Sequence, residues 1–156
     1  MDPMDESLRK QILALLRVIN VTRCCKEDNI PCKIEEGLFL GSIGAAHNKD
    51  ELKSLNITHI LTVASSLAPA YPDEFVYKVL NEAKRSGGVL VHCFVGKSRS
   101  VTIVLAYLMK RHGMSLNEAL EHVRSRRPQA SPNAGFISQL QVFERSIHAN
   151  EENKKL

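Results

Sequence analysis

A chain of 156 residues suits one compact domain with room for a fair core, and 44% hydrophobic against 24% charged residues is ordinary for a soluble protein. A scattered net charge of +4 is too small to indicate nucleic-acid binding, no apolar run is long enough to span a bilayer, and the acidic start Met1-Asp-Pro-Met-Asp-Glu6 is unlike a signal peptide. Four cysteines without a framework spacing point to a reducing compartment, cytoplasm or nucleus, and no Cys/His spacing resembles a zinc site.

Ser7 to Lys26 reads as an amphipathic helix, with Leu8, Ile12, Leu15 and Val21 at helical spacing and Leu16 and Ile19 beside them. Arg9, Lys10, Arg17, Arg23 and Lys26 give it a basic edge with no acid. Three fates suit such a helix: packing on its own domain, docking in the apolar groove of a calmodulin-type partner, or lying on an anionic membrane surface. Gly37–Leu40 and Ile57–Ala64 read as strands, the second nearly all apolar and so expected to be buried on both faces. Asn48–Leu55 is a short helix between them. Ser65–Asp73, with Pro69 and Pro72, is a loop, and Phe75–Leu80 a strand.

After the strand around Val89–Val91 come a small loop and a helix from Ser100 to His112, closed by Gly113. Ser115-Leu-Asn-Glu118 fits a capping box for the next helix, which Pro128 bars from continuing far. Pro132 and Asn133 introduce a final helix to about His148, with Glu151 onward expected to fray. Strands alternating with helices predict an α/β fold, a mainly parallel sheet covered on both faces.

The loop carries the chemistry. Cys93 follows the apolar run and His92, and five intervening residues lead to Arg99 and Ser100 at the start of the helix. Orphan amides and the positive end of the helix dipole make such a place an oxyanion site. A thiol there is pushed towards thiolate, and the planar fork of an arginine grips two phosphate oxygens. The arrangement is suited to attack on phosphorus.

His92-Cys-x-x-Gly-x-Ser-Arg-Ser100, followed by Ala106-Tyr-Leu-Met109, resembles the dual-specificity branch of the cysteine-dependent protein phosphatases, the plant members most of all. The resemblance takes in Glu36-Gly-Leu-Phe-Leu-Gly-Ser42, Ile57-Thr-His-Ile-Leu-Thr-Val-Ala64, Arg127-Pro128 and Ser131-Pro-Asn-Ala-Gly-Phe-Ile-Ser-Gln-Leu140, so that about Ile34 to Glu144 is covered. It implies a phosphatase-like domain over 31–149, preceded by the helical unit 1–30 and followed by a polar tail, 150–156. It implies Cys93 as nucleophile, forming a cysteinyl-phosphate, and a cradle of amides from Phe94, Val95, Gly96, Lys97, Ser98 and Arg99. Arg99 stabilises transition-state charge, Ser100 helps the thiolate leave, and His92 orders the loop and lowers the thiol pKa. No metal or cofactor is required. The implied substrates are phosphotyrosine, and phosphothreonine or phosphoserine, in proteins such as protein kinases.

One departure matters. In the family, the strand matching Phe75–Leu80 is followed by a loop with a general-acid aspartate and then a long helix. Here Leu80 runs straight into Asn81-Glu-Ala-Lys-Arg-Ser-Gly-Gly88, which resembles only the tail of that helix. The chain reads as internally shortened at 80/81, with the general acid missing. Asp73 and Glu74 are substitutes only if their loop rearranges, a plain turn beside Pro72 being the simpler reading. We expect reduced activity, low stability and thinned apolar cover on one sheet face. The alternative is a catalytically weak module that binds phosphoproteins.

Overall fold

The computed structural model describes residues 5–64 and 87–153. The expected loop Ser65–Asp73 with its acid candidate Asp73, the strand Phe75–Leu80 and the junction at 80/81 lie outside the described residues.

Helix α1, Glu6–Glu27, opens on Asp5, whose carboxylate accepts from the Ser7 amide at 3.1 Å, and closes at Asp28. Its apolar stripe is not packed: Leu8, Ile12, Leu13, Leu15, Leu16, Val18 and Ile19 are all exposed. This corrects the reading in which α1 lies along its own domain. Only the C-terminal end docks, where Cys24 is buried and its carbonyl lies so close to Gly44 that any Cβ there would collide.

Strands β1, Cys32–Glu35, and β2, Leu38–Gly41, form a hairpin turned at Gly37, whose φ of 73° suits glycine. β1 was not expected, because four residues containing Lys33 and Glu35 offer no apolar run. Nor was the single-turn helix α2, Ile43–Ala46, which Ser42 caps through the Gly44 amide at 3.0 Å. Helix α3, Lys49–Ser54, capped by Asn48, lies where a short helix was expected. Then follow β3, Ile57–Thr62, and β4, Gly88–His92. Helices α4, Arg99–His112, α5, Leu116–Arg126, and α6, Ala134–Asn153, complete the chain. α4 ends on Gly113 at φ 66°, and the capping box of Ser115 with Glu118 is present. α6 runs past His148 to Asn153, into the expected polar tail, since no Gly or Pro intervenes to stop it.

The sheet order is β1-β2-β4-β3, with β1 antiparallel to β2 and the other two pairings parallel. The fold is α/β, as expected. Period-two alternation splits its apolar residues between two faces. Leu38, Leu40, Val89 and Val91 pack under α4, α5 and α6 with Val101, Leu105, Leu116, Val123 and Leu140. Phe39, Ile60 and Leu90 pack with Ala45, Ala46 and Leu52 of α2 and α3. Full burial of such a side chain is worth about 1.5–3 kcal/mol, and each described strand has such cover. β3 is less buried than expected, with Ile57 and Ile60 inside but Thr58, His59, Leu61 and Thr62 only half-buried, because β4 is its one strand neighbour among the described residues. No helix among the described residues is long and apolar enough to cross a membrane.

Gly41, Thr62 and His92 stand level in the parallel register. The next residue after β4 is Cys93, so the sheet delivers the thiol just beyond its carboxyl edge, where open α/β sheets place their ligands.

Candidate active site

The thiol of Cys93 is buried and shares a 3.2 Å hydrogen bond with the Ser100 hydroxyl, which is buried too. The Gly96 amide donates to the sulfur at 3.3 Å. Burial opposes ionisation of this thiol. The Ser100 hydroxyl and amide, the Gly96 amide and the charge of Arg99 outweigh it, and the pKa falls below the usual 9.0. Arg99 and Lys97 are exposed at the mouth, and Phe94 and Val95 half-buried.

His92 is tied in by both ring nitrogens. Nδ1 lies 3.2 Å from the Cys93 carbonyl, which can only accept, so Nδ1 donates and Nε2 accepts from the Thr62 hydroxyl at 2.9 Å. Burial pushes its pKa down to about 4. The ring is therefore neutral at pH 7, and any effect of His92 on the thiol is one of loop geometry rather than charge.

Every carbonyl of the loop meets a donor. Cys93 O takes His92, Phe94 O takes the Ile43 amide at 2.9 Å, and Val95 O and Gly96 O take Arg127 at 3.1 and 2.7 Å. Lys97 O accepts from the Ser131 amide at 2.8 Å, and Ser98 O from the amide and hydroxyl of Thr102. Gly96, at φ 68°, sits where a Cβ would collide with the Gly41 carbonyl and lie 2.7 Å from the Arg127 guanidinium. Ser98, at the N-cap of α4, makes no capping bond there, and its hydroxyl accepts from the Asn133 amide at 3.1 Å instead.

The sequence pattern of the family "Dual specificity phosphatase, catalytic domain" matches residues 70–146. Dual specificity protein phosphatase 1 of Arabidopsis thaliana is 58% identical over 170 residues, covering 95% of this chain and 86% of that protein. The chain belongs to the dual-specificity phosphatase family. It is a cysteine-dependent protein phosphatase by that membership. The aligned length exceeds the 156 residues of the chain, so the Arabidopsis protein carries residues with no counterpart here. MAP kinase phosphatase with leucine-rich repeats protein 3 of Dictyostelium discoideum is 35% identical over 160 residues, covering 88% of this chain and 18% of that one. Among solved structures, a mouse putative dual specificity phosphatase complexed with zinc tungstate superposes with a TM-score of 0.72 at 28% identity, over 79% of this chain and 91% of that one.

The dual-specificity phosphatase loop thus brings Cys93, Gly96 and Ser100 into direct contact, with Arg99 acting on the thiol by charge. Thr62, Asp28 and the role of Arg127 were not foreseen. Arg127-Pro128 formed part of the resemblance but carried no chemistry in it, and Asp28 stood in no motif. Cys32, which stands in no motif, accepts from Arg127 on its sulfur at 3.4 Å.

Proposed function

We propose that Cys93 is the nucleophile of this phosphatase and that residues 93–100 form its phosphate cradle. The contact of the lowered thiol with Ser100 and Gly96 at the α4 N-terminus carries the reading. The sulfur attacks phosphorus, the ester P–O bond breaks, and the leaving oxygen takes up a proton. Water then attacks the cysteinyl-phosphate, the P–S bond breaks, and Ser100 donates to the departing thiolate. Six carbonyls held outward support amides turned inward from Phe94 to Arg99, because a trans peptide points its C=O and N–H in opposite directions. Arg99, exposed at the mouth, grips the equatorial oxygens.

Substrates are phosphoproteins, and we propose protein kinases as their class, in keeping with the MAP kinase phosphatases among the relatives. Without the general-acid loop, turnover is reduced. The cytoplasm or nucleus suits both the substrates and the free thiol. The exposed apolar stripe and basic edge of α1 favour an acidic calmodulin-type partner over self-packing, which calcium-dependent capture of a 1–30 peptide tests.

The deciding experiment is hydrolysis of an aryl phosphate and of phosphotyrosine peptides by the unmutated chain and Cys93→Ser. Turnover lost in the variant supports the enzyme. Tight phosphopeptide binding by the unmutated chain without turnover replaces it with the binding module.

A further inference from the structure

Arg127 is 0% exposed, and burying a guanidinium costs several kcal/mol unless its donors and charge are met. All five of its N–H groups are used. Nη1 and Nη2 clasp Asp28 at 3.0 and 2.6 Å, Nη1 also reaches Cys32 Sγ, and Nε and Nη2 donate to Gly96 O and Val95 O. Asp28 belongs to a different part of the chain, the C-cap of α1, and its own carbonyl accepts from the buried Ser42 at 2.7 Å. Ser42 in turn precedes Ile43, whose amide holds Phe94 O. The loop is therefore braced from behind by a fork that is itself anchored.

One peptide plane connects this brace to the chemistry. The carbonyl of Val95 and the amide of Gly96 belong to the same planar group. Arg127 Nη2 holds the oxygen of that group, and its N–H is directed to Cys93 Sγ. Rotation of the plane to free the carbonyl would take the amide off the sulfur. Lysine in place of Arg127 has three donors on a point charge and cannot serve two carbonyls and both carboxylate oxygens together.

We propose that Arg127, fixed by Asp28, is a positioning residue of the phosphatase site: it sets the Val95–Gly96 peptide so that the Gly96 amide faces the thiolate and the incoming phosphate. The proposal rests on the phosphatase reading of the loop and adds two residues to it.

The test is alkylation of Cys93 by iodoacetamide across the pH range, resolved from the other cysteines by peptide mass mapping. It is run on the unmutated protein, Arg127→Lys and Asp28→Asn, each below its own melting transition, with vanadate protection measured alongside. The Cys93 midpoint is expected to rise by about one pH unit in both variants, and vanadate to bind about tenfold more weakly. Folded variants with an unmoved midpoint and unchanged vanadate affinity would show that Arg127 only supports the fold, and the proposal fails. Asp28→Asn is isosteric but removes the charge that fixes the guanidinium against the Val95 and Gly96 carbonyls, so it decides the matter if Arg127→Lys does not fold. Should the unmutated chain turn over no aryl phosphate while these shifts are seen, the catalytic reading falls and the positioning role stands.

Discussion

The thiol of Cys93 and the hydroxyl of Ser100 lie 3.2 Å apart in the protein interior, seven residues apart on either side of the same loop. On the proposed mechanism, a hydroxyl there stabilises the thiolate both before attack and as it leaves. For Ser100→Ala we expect the acidic limb of kcat/KM to move to higher pH. Hydrogen bonds to charged groups are worth about 1.5–3 kcal/mol, so kcat should fall by about ten- to a hundredfold, with phosphoenzyme accumulating. Pre-steady-state bursts with an aryl phosphate report it, and an unchanged limb and kcat would remove Ser100 from the mechanism.

His92 makes stability depend on pH. Its pKa is about 4 folded against 6.5 for the free side chain, so the unfolded chain binds the extra proton first as pH falls. The contribution of the neutral ring is complete above pH 6.5 and is lost progressively as pH falls to about 4, a total of roughly 3 kcal/mol. Urea unfolding at neutral and mildly acidic pH should show this slope in the unmutated protein and a shallower one in His92→Asn. Equal slopes would place the acid sensitivity elsewhere.

Gly96→Ala joins two penalties: a left-handed φ of 68° and a Cβ driven against the Gly41 carbonyl and Arg127. Strain of this kind costs on the order of 1–3 kcal/mol. The loop can relieve it only by moving off its braces, so we expect a lower melting temperature and at least about a hundredfold loss in kcat/KM, as when an oxyanion donor is removed. Retained turnover at a lowered melting temperature would show that the cradle tolerates the shift.

Leaving-group dependence examines the shortened segment. A positioned general acid contributes about 10²–10⁴ in rate, and a phenol with pKa near 10 departs unassisted far more readily than an alkoxide. Relative to the Arabidopsis protein, this chain should retain most activity on activated aryl phosphates, less on phosphotyrosine, and almost none on phosphoserine or phosphothreonine. A uniform loss across the three classes would mean that a proton donor is still in place.

Asp28 and Arg127 also bear on stability. Removing one partner of a buried ion pair costs about 3–5 kcal/mol because the other charge stays behind. The carboxylate is partly reached by solvent, its side chain 25% exposed, so the lower end is expected for Asp28→Ala. The pair is worth measuring by chemical denaturation. A change within ±0.5 kcal/mol, as at ordinary surface sites, would mean water replaces the carboxylate.

The main strands and helices with strong periodicity were legible, as were the strand, loop and helix that place Cys93, Arg99 and Ser100 together, because each depends on residues close in sequence. A contiguous loop at a helix N-terminus has its oxyanion geometry built into a short stretch of chain. Ser115 with Glu118 and Gly113 were legible for the same reason. β1 was not, since four residues with two charges become a strand only through pairing with β2. β3 looked doubly buried because composition does not reveal how many neighbours a strand will have, and among the described residues β3 pairs with β4 alone.

The sequence by itself determined that this chain carries a phosphatase loop on an α/β sheet, and that its N-terminal helix is amphipathic and basic. Only the tertiary structure decided that this helix stands free along most of its length yet ends in Asp28. There it anchors an arginine 99 residues away against the back of the loop. Local patterns fix elements because their hydrogen bonds close within a few residues. Which buried charge meets which carboxylate is fixed only when the packed chain leaves a guanidinium no water to turn to.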